Sequence, residues 1–332
     1  MKKNKMRLIA ATVMAAMVIS MTGCGSTGEA EQPAEGDSAE GKTYAVGVMQ
    51  LVEHPALDAA TQGFQDKLTE LLGDSVTFDV QNAQGESTNS TTIATKFVSD
   101  DVDLIMANAT GAVQAAAAAT ADIPIVGTSV TDFHTAGVVD SNETPGRNVT
   151  GVSDLTPIDE QIKLLQQVYP EAKKVAIVYC SAEPNSIFQS ELAQEALTEA
   201  GIEFKEYTAA DSNEIQAVIT NAIGECDAVF IPTDNTMASN MEIVKNVTVP
   251  AGIPVFVGEE GMCKTGGLAT LSISFYDLGQ KAGEMAYDIL VNGADPAATP
   301  IGFVSDNIVP KYNPEIAEAL GITMPEGFEP IQ

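Results

Sequence analysis

Eight short polar segments carry the residues of this chain whose types and spacing could do chemistry. They are VEHP (52–55), NAQGEST (82–88), NATGA (108–112), TSVTDFH (128–134), SDL (153–155), SAEPNS (181–186), PTDNT (232–236) and GEEG (258–261). They are rich in hydroxyls, amides and carboxyls and poor in Lys and Arg. Free backbone N–H groups at a helix start can hold a carboxylate without a formal positive charge. Thr110, Ser129 and Thr131 suit that task. An ammonium needs an anion instead, and Asp234, Glu259 and Glu260 supply candidates. Each residue also has a plainer reading. Asp234, His54, Thr110 and Ser129 could cap helices, and Glu259 and Glu260 could be solvated. Phe133, Phe275 and Tyr276 lie near these segments and could pack on a ligand side chain or simply fill a core.

Catalytic signatures are weak. Neither G-x-S-x-G nor H-E-x-x-H occurs. Cys180 and His134 form a conceivable nucleophile–base pair, but they fall on separate elements. Beyond Cys24 the cysteines are Cys180, Cys226 and Cys263, which cannot all pair within one chain. Cys180 ends one apolar run and Cys226 precedes another, so buried free thiols are expected. No C-x-x-C occurs, which argues against a cysteine metal site. The run GDSAEGKT (36–43) matches the phosphate-loop pattern G-x-x-x-x-G-K-[ST]. That motif works only with a strand before the glycines and a helix after them. Here a strand begins at Tyr44, and Asp37 and Glu40 would repel phosphate.

The elements that must position the polar segments alternate with little interruption. YAVGVMQ is a buried strand, and Pro55 suits the first helical position. Leu57, Ala60, Phe64, Leu68 and Leu71 recur at helical spacing up to Gly73. VTFDVQN, DLIMAN, IPIVGTS and NVTGVSD read as further strands, with helices between the first four. The rhythm then restarts. Helix IDEQIKLLQQVYP leads to strands KVAIVYC, IEFKEY, DAVFIP and IPVFVG. The intervening helices include a stripe of Phe188, Leu192, Ala196 and Ala200, then NEIQAVITNAI and MASNMEIVKNV. LATLSIS leads into the helix FYDLGQKAGEMAYDILVNG, and the tail reads as a strand and a short helix. Alternation of this kind predicts α/β architecture, with parallel sheets covered by helices. Two such series predict two similar lobes, with ligands gathering beyond the carboxyl ends of the strands. Glu53, His54 and His134 all fall at that edge.

The N-terminus reads as an address. MKKNKMR is basic, and Leu8–Met21 is an apolar run too short for the roughly 20 residues that span a bilayer. Small residues then precede Cys24 in a pattern resembling a bacterial lipobox, with Met21 where Leu is usual. Residues 25–42 are polar and acidic, a disordered tether in expectation. The net charge of −30 would repel nucleic-acid phosphates and anionic lipid headgroups.

From about Thr43 to Pro325 the chain resembles the solute-binding lipoproteins of ABC importers. It is most similar to the branch associated with tryptophan and other aromatic amino acids. VEHPALDAATQGF, QNAQGE, ATKFVSDDVDLIMANAT, IPIVGTSVTD, NVTGVSDL, PTDNTMAS and YDLGQKAGEMA carry the resemblance, in that order. It implies a type I periplasmic-binding-protein fold, with two Rossmann-like lobes hinged by three crossovers. It implies a cleft lined by Glu53, His54, Asn108, Thr110, Ser129, Thr131, Phe133, Asp154, Asn185, Asp234, Asn235 and Glu259.

The expected organisation is a signal peptide over 1–23 and a tether over 24–42. Lobe one takes 43–152 with 272–298, and lobe two takes 153–271 with 299–332. The expected function is capture of a small amino acid, aromatic in preference, outside the cell membrane. The protein would be a monomer, lipid-anchored through Cys24, and would deliver its ligand to an ABC permease. No cofactor, metal or nucleic acid is expected. The alternatives are a ligand sensor for a membrane signalling partner, a binding protein for a nucleoside or sugar, and an extracellular enzyme of similar fold.

Overall fold

The computed structural model describes residues 42–304 and 308–331. The expected signal peptide, Cys24 and nearly all of the tether lie outside the described residues. The end of the phosphate-loop-like run leads straight into a strand, the reverse of the order that motif needs.

The first series is β1 (Tyr44–Gln50), α1 (Pro55–Leu72), β2 (Val76–Asn82), α2 (Ser87–Ser99), β3 (Leu104–Asn108), α3 (Thr110–Ala119), β4 (Ile125–Val130) and β5 (Val149–Ser153). The second is α4 (Ile158–Val168), β6 (Lys174–Cys180), α5 (Pro184–Ala200), β7 (Glu203–Ala209), α6 (Ile215–Ile223), β8 (Ala228–Ile231), α7 (Asn235–Ala238), α8 (Met241–Thr248), β9 (Val255–Val257), α9 (Glu260–Thr265) and β10 (Ala269–Ser272). The chain returns through α10 (Phe275–Leu290) and β11 (Gly302–Phe303), then ends with β12 (Val309–Tyr312), α11 (Pro314–Leu320) and β13 (Glu329–Pro330).

One sheet has the order β11-β5-β4-β3-β1-β2 and the other β13-β12-β10-β9-β8-β6-β7. Every pairing is parallel except β10 with β12. The chain passes between the sheets three times, after β5, after β10 and after β11. The architecture is thus two Rossmann-like lobes with three crossovers. In each sheet the strand order reverses beside the first strand, between β1 and β3 and between β6 and β8. Loops leaving the two strands diverge there and open a crevice at the carboxyl ends.

Apolar periodicity explains the packing of α1 but not of α5, where Ser186, Gln189, Ser190, Ala193 and Leu197 are buried and the stripe Phe188, Leu192, Ala196 and Ala200 is half-buried. Leu57, Ala60, Phe64 and Leu68 of α1 are buried as the spacing predicts, whereas Leu71 near the helix end is 40% exposed. α1 packs against α10 at backbone contact. A Cβ on Gly63 would lie 2.1 Å from the carbonyl oxygen of Tyr276, and one on Gly279 would lie 2.0 Å from that of Ala60. The returning helix therefore fixes where α1 begins, and with it His54. The expected boundaries at 152 and 272 each differ by one residue, since Ser153 ends β5 and Ser272 ends β10. The last shifts further: Gly302 and Phe303 pair with Val152 and Ser153, so lobe one keeps the chain through β11 rather than releasing it at 298. The free edge of β5 accepts that strand, and the Lys281 side chain and the Thr150 hydroxyl both donate to carbonyls of the segment.

Candidate ligand-binding site

The carboxyl ends of the strands in both lobes converge on one interlobe cleft, and the expected residues sort there into three groups. The first group bridges the lobes. His54 follows β1 and is buried, and its Nε2 lies 3.3 Å from Oδ1 of Asn235, which follows β8. The two strand-order reversals thus meet through one side-chain contact. His54 occupies the residue before α1 but makes no capping hydrogen bond. A second bridge runs from Gln189 of α5, whose Nε2 donates to the Thr131 hydroxyl at 3.2 Å. The same amide group donates to the Thr233 carbonyl at 2.9 Å, which fixes it on lobe two. Asn185, also buried, bonds within lobe two, donating to Glu183 at 3.2 Å.

The second group is buried and polar but lacks a protein partner. Nδ1 of His54, Oδ1 of Asn108, the hydroxyls of Thr128, Ser129 and Thr233, and Oδ1 of Asp154 are all in this state. Leaving such a group unmade costs about 1–3 kcal/mol each, and native interiors rarely tolerate several together. Asn108 shows the arrangement. Its amide N–H groups donate to the Leu57 carbonyl at 2.8 Å and the Thr61 hydroxyl at 2.9 Å, leaving the oxygen as a free acceptor. Asp154 sits in the first crossover, 3% exposed. Burial pushes its carboxyl up to about 6, opposed by the Thr131 hydroxyl and its own backbone N–H.

Backbone strain marks the same edge. Ala109 has φ +89° and Ser129 has φ +55°. A non-glycine residue in these regions costs of order 1–3 kcal/mol and clusters at functional sites. Ala109 turns the chain directly into α3, whose buried Thr110 heads a ten-residue helix.

The third group is occupied by the protein itself. The Asp234 carboxylate accepts from Met237 N at 2.7 Å, capping α7, and from Cys180 N at 2.7 Å. Burial and the neighbouring Glu183 charge raise its pKa, opposed by those N–H groups. Glu259 caps α9 by accepting from Gly261 N and Met262 N, and burial pushes it up to about 7. Glu260 pairs with Lys311. Glu53 and His134 are exposed. Phe133 is fully buried in the lobe-one core, Phe275 packs in the neighbouring core cluster, and the Tyr276 hydroxyl donates to Asp66 at 2.9 Å. Phe188 reaches the cleft instead, half-buried beside Thr110, Thr131 and Pro184.

The cleft mouth encloses about 730 Å³, lined in part by Leu51, Val52, Ala115, Glu183, Pro184 and Asn235. None of the residues carrying an unpartnered atom lines this volume, whereas Asn235, the contact of His54, does. Glu183, Gln189, Thr128 and Thr233 are absent from the set expected from sequence. Their signal was their place in or beside the polar strand-end segments. Cys180, Cys226 and Cys263 are buried and free.

Two lobes closing strand ends over unpartnered polar groups define a small-molecule binding protein. The chain belongs to the ABC transporter substrate binding protein family, whose profile matches residues 45–329. A tyrosine-binding protein of Clostridioides difficile is 39% identical over 292 residues, 87% of this chain and 84% of that protein. A structure from Streptococcus pneumonia in complex with L-Trp is 34% identical, with a TM-score of 0.84 over 87% of this chain and all of that one. The ligand-free, open structure of a Clostridium difficile substrate binding protein with adhesive properties is 38% identical, with a TM-score of 0.68 over 87% of this chain and 99% of that one. The ligand-bound relative therefore matches better in shape despite its lower identity, in keeping with the two side-chain bridges between the lobes. A leucine binding protein from Thermotoga maritima, 16% identical with a TM-score of 0.60, shares the type I periplasmic-binding-protein fold.

Proposed function

We propose that this protein captures an aromatic amino acid between its lobes and delivers it to an ABC permease. It would act outside the cytoplasm, tethered through a lipid on Cys24. The observation that carries the reading is the set of buried polar atoms without protein partners at the strand ends. They match an amino acid in kind. The start of α3 and the Ser129 and Thr233 hydroxyls supply donors for a carboxylate. Asp154 supplies an unpartnered anionic oxygen for the ammonium. The aromatic preference is supported by the tyrosine-binding and L-Trp-bound relatives and by Phe188 at the cleft. Binding without catalysis is the better reading of Cys180. Burial raises its thiol pKa, its Sγ faces the Ala210 carbonyl at 3.7 Å, and His134 stands exposed.

Thermal unfolding of the full-length chain against the amino acids, nucleosides and common sugars tests this. A ligand at a thousandfold over its dissociation constant should stabilise by roughly 4 kcal/mol. Stabilisation by Trp, Tyr or Phe is expected. Stabilisation by a nucleoside or sugar alone would overturn the ligand class.

A further inference from the structure

The tautomer of His54 is settled by a chain of contacts across the cleft. Glu183 accepts from the backbone N–H of Asn235 at 3.1 Å and of Thr236 at 2.8 Å, and from the Thr236 hydroxyl at 2.7 Å. A carboxylate surrounded by such donors only accepts, so the Asn235 amide turns its Nδ2 toward Glu183, 2.7 Å away. Oδ1 of Asn235 then faces His54 Nε2, and an amide oxygen only accepts. Nε2 must therefore carry the proton. Burial lowers the His54 pKa, which keeps the ring neutral. Nδ1 is left as a bare lone pair, buried and without a protein partner.

We infer that His54 Nδ1 accepts a hydrogen bond from the ring donor of the bound amino acid, an indole N–H or a phenol O–H, and so selects Trp and Tyr over Phe. This rests on the aromatic amino-acid reading above. Position favours the ring over the ammonium as the donor. Asp154 follows β5 and His54 follows β1, three strand spacings apart, about 14 Å. An amino acid whose ammonium meets Asp154 extends its side chain past β4 and β3 toward β1. Leu51 and Val52, just before His54, line the cleft mouth on the lobe-one side, with Pro184 on the lobe-two side. A site built to hydrogen-bond one substrate group rejects the analogue lacking it far more strongly than an apolar pocket rejects a lost methylene.

Calorimetric titration of the full-length chain with L-Trp, L-Tyr, L-Phe and 1-methyl-L-tryptophan tests the assignment. The natural protein should bind Tyr over Phe, and Trp over its N-methyl derivative, by about tenfold or more. In His54→Leu the Tyr-to-Phe ratio should collapse to within about threefold, whatever loss is common to all ligands through the broken Asn235 contact. Equal binding of Tyr and Phe by the natural protein would overturn the assignment while leaving the aromatic reading intact. So would a His54→Leu variant that weakens every ligand by one factor and keeps the ratio. Should that variant fail to fold, the Trp comparison on the natural protein decides alone. Absence of binding by any of the four would overturn the aromatic reading itself, and this assignment with it.

Discussion

Asp154 and Asp234 are both buried aspartates at strand ends, yet their surroundings give them different work. Asp234 spends its oxygens on two backbone N–H groups, whereas Asp154 keeps one oxygen free. An ionised carboxylate in that state destabilises the empty protein and is relieved by a cation. Asp154→Asn should weaken amino-acid binding by roughly 2–5 kcal/mol, as for a truncated buried charge pair. At pH 7.5 it should leave the empty protein as stable or more so, by up to about 3 kcal/mol, because the native carboxyl sits near 6 and not at its ordinary 3.8. Titration calorimetry and urea unfolding on one preparation read both effects. Unchanged affinity would remove Asp154 from the site.

At the scale of elements, short helices in lobe two are held by their first residues. α7 has four residues and α9 six, too few to persist alone. Their N-caps, Asp234 and Glu259, accept from backbone N–H groups of the first turn. Asp234→Ala removes the cap and strands the buried Cys180 N–H together. The expected cost is about 2–4 kcal/mol of folding stability, with a smaller loss of ligand affinity than Asp154→Asn causes. Denaturant titration beside ligand titration checks this, and a large affinity loss in a stable variant would return Asp234 to the ammonium. α1 and α10 depend on each other in another way. Gly63 and Gly279 let their backbones touch, and so fix the helix start that carries His54 across the cleft.

For the whole molecule, folding buries several carboxyls, and that gives its stability a pH dependence. Burial raises the pKa values of Asp154, Glu259 and Asp234. The native state therefore holds protons that the unfolded chain releases, from about pH 4 up to about 8. Stability falls as pH rises through that window. His54 acts in the opposite sense, since its lowered pKa makes the native state bind fewer protons below its ordinary 6.5. Three carboxyls outweigh one imidazole, and relief of self-repulsion at a net charge of −30 adds to them. The empty protein should be more stable at pH 5 than at pH 7.5 by urea unfolding. A flat or rising profile would contradict the burial of these groups. Asp154→Asn should lose one share of the slope and no more.

The alternation of apolar strands with 3.6-period helices was enough to determine two parallel α/β lobes, because each period dictates which face is buried and hence what must cover it. β1, β2 and β6 span the segments YAVGVMQ, VTFDVQN and KVAIVYC that the sequence pattern marks as strands. The ligand edge was legible too, since polar, turn-forming residues follow the strands at the carboxyl ends. Less was legible where only a few residues decide. MASNMEIVKNV reads as one helix but breaks into α7 and α8 around Ser239 and Asn240, and GEEG conceals the start of α9. Residues 302–303 join lobe one only because β5 leaves an edge open. Side-chain roles depended on tertiary structure almost entirely. Phe133 and Phe188 look alike as aromatic residues, but one fills a core and the other meets the cleft. Asp154 and Asp234 differ only in which N–H groups the fold brings to them. Residue types and their order determined which groups could bind and at which edge. Only the tertiary structure decided which remain unpartnered, because a hydrogen bond is satisfied by atoms distant in sequence.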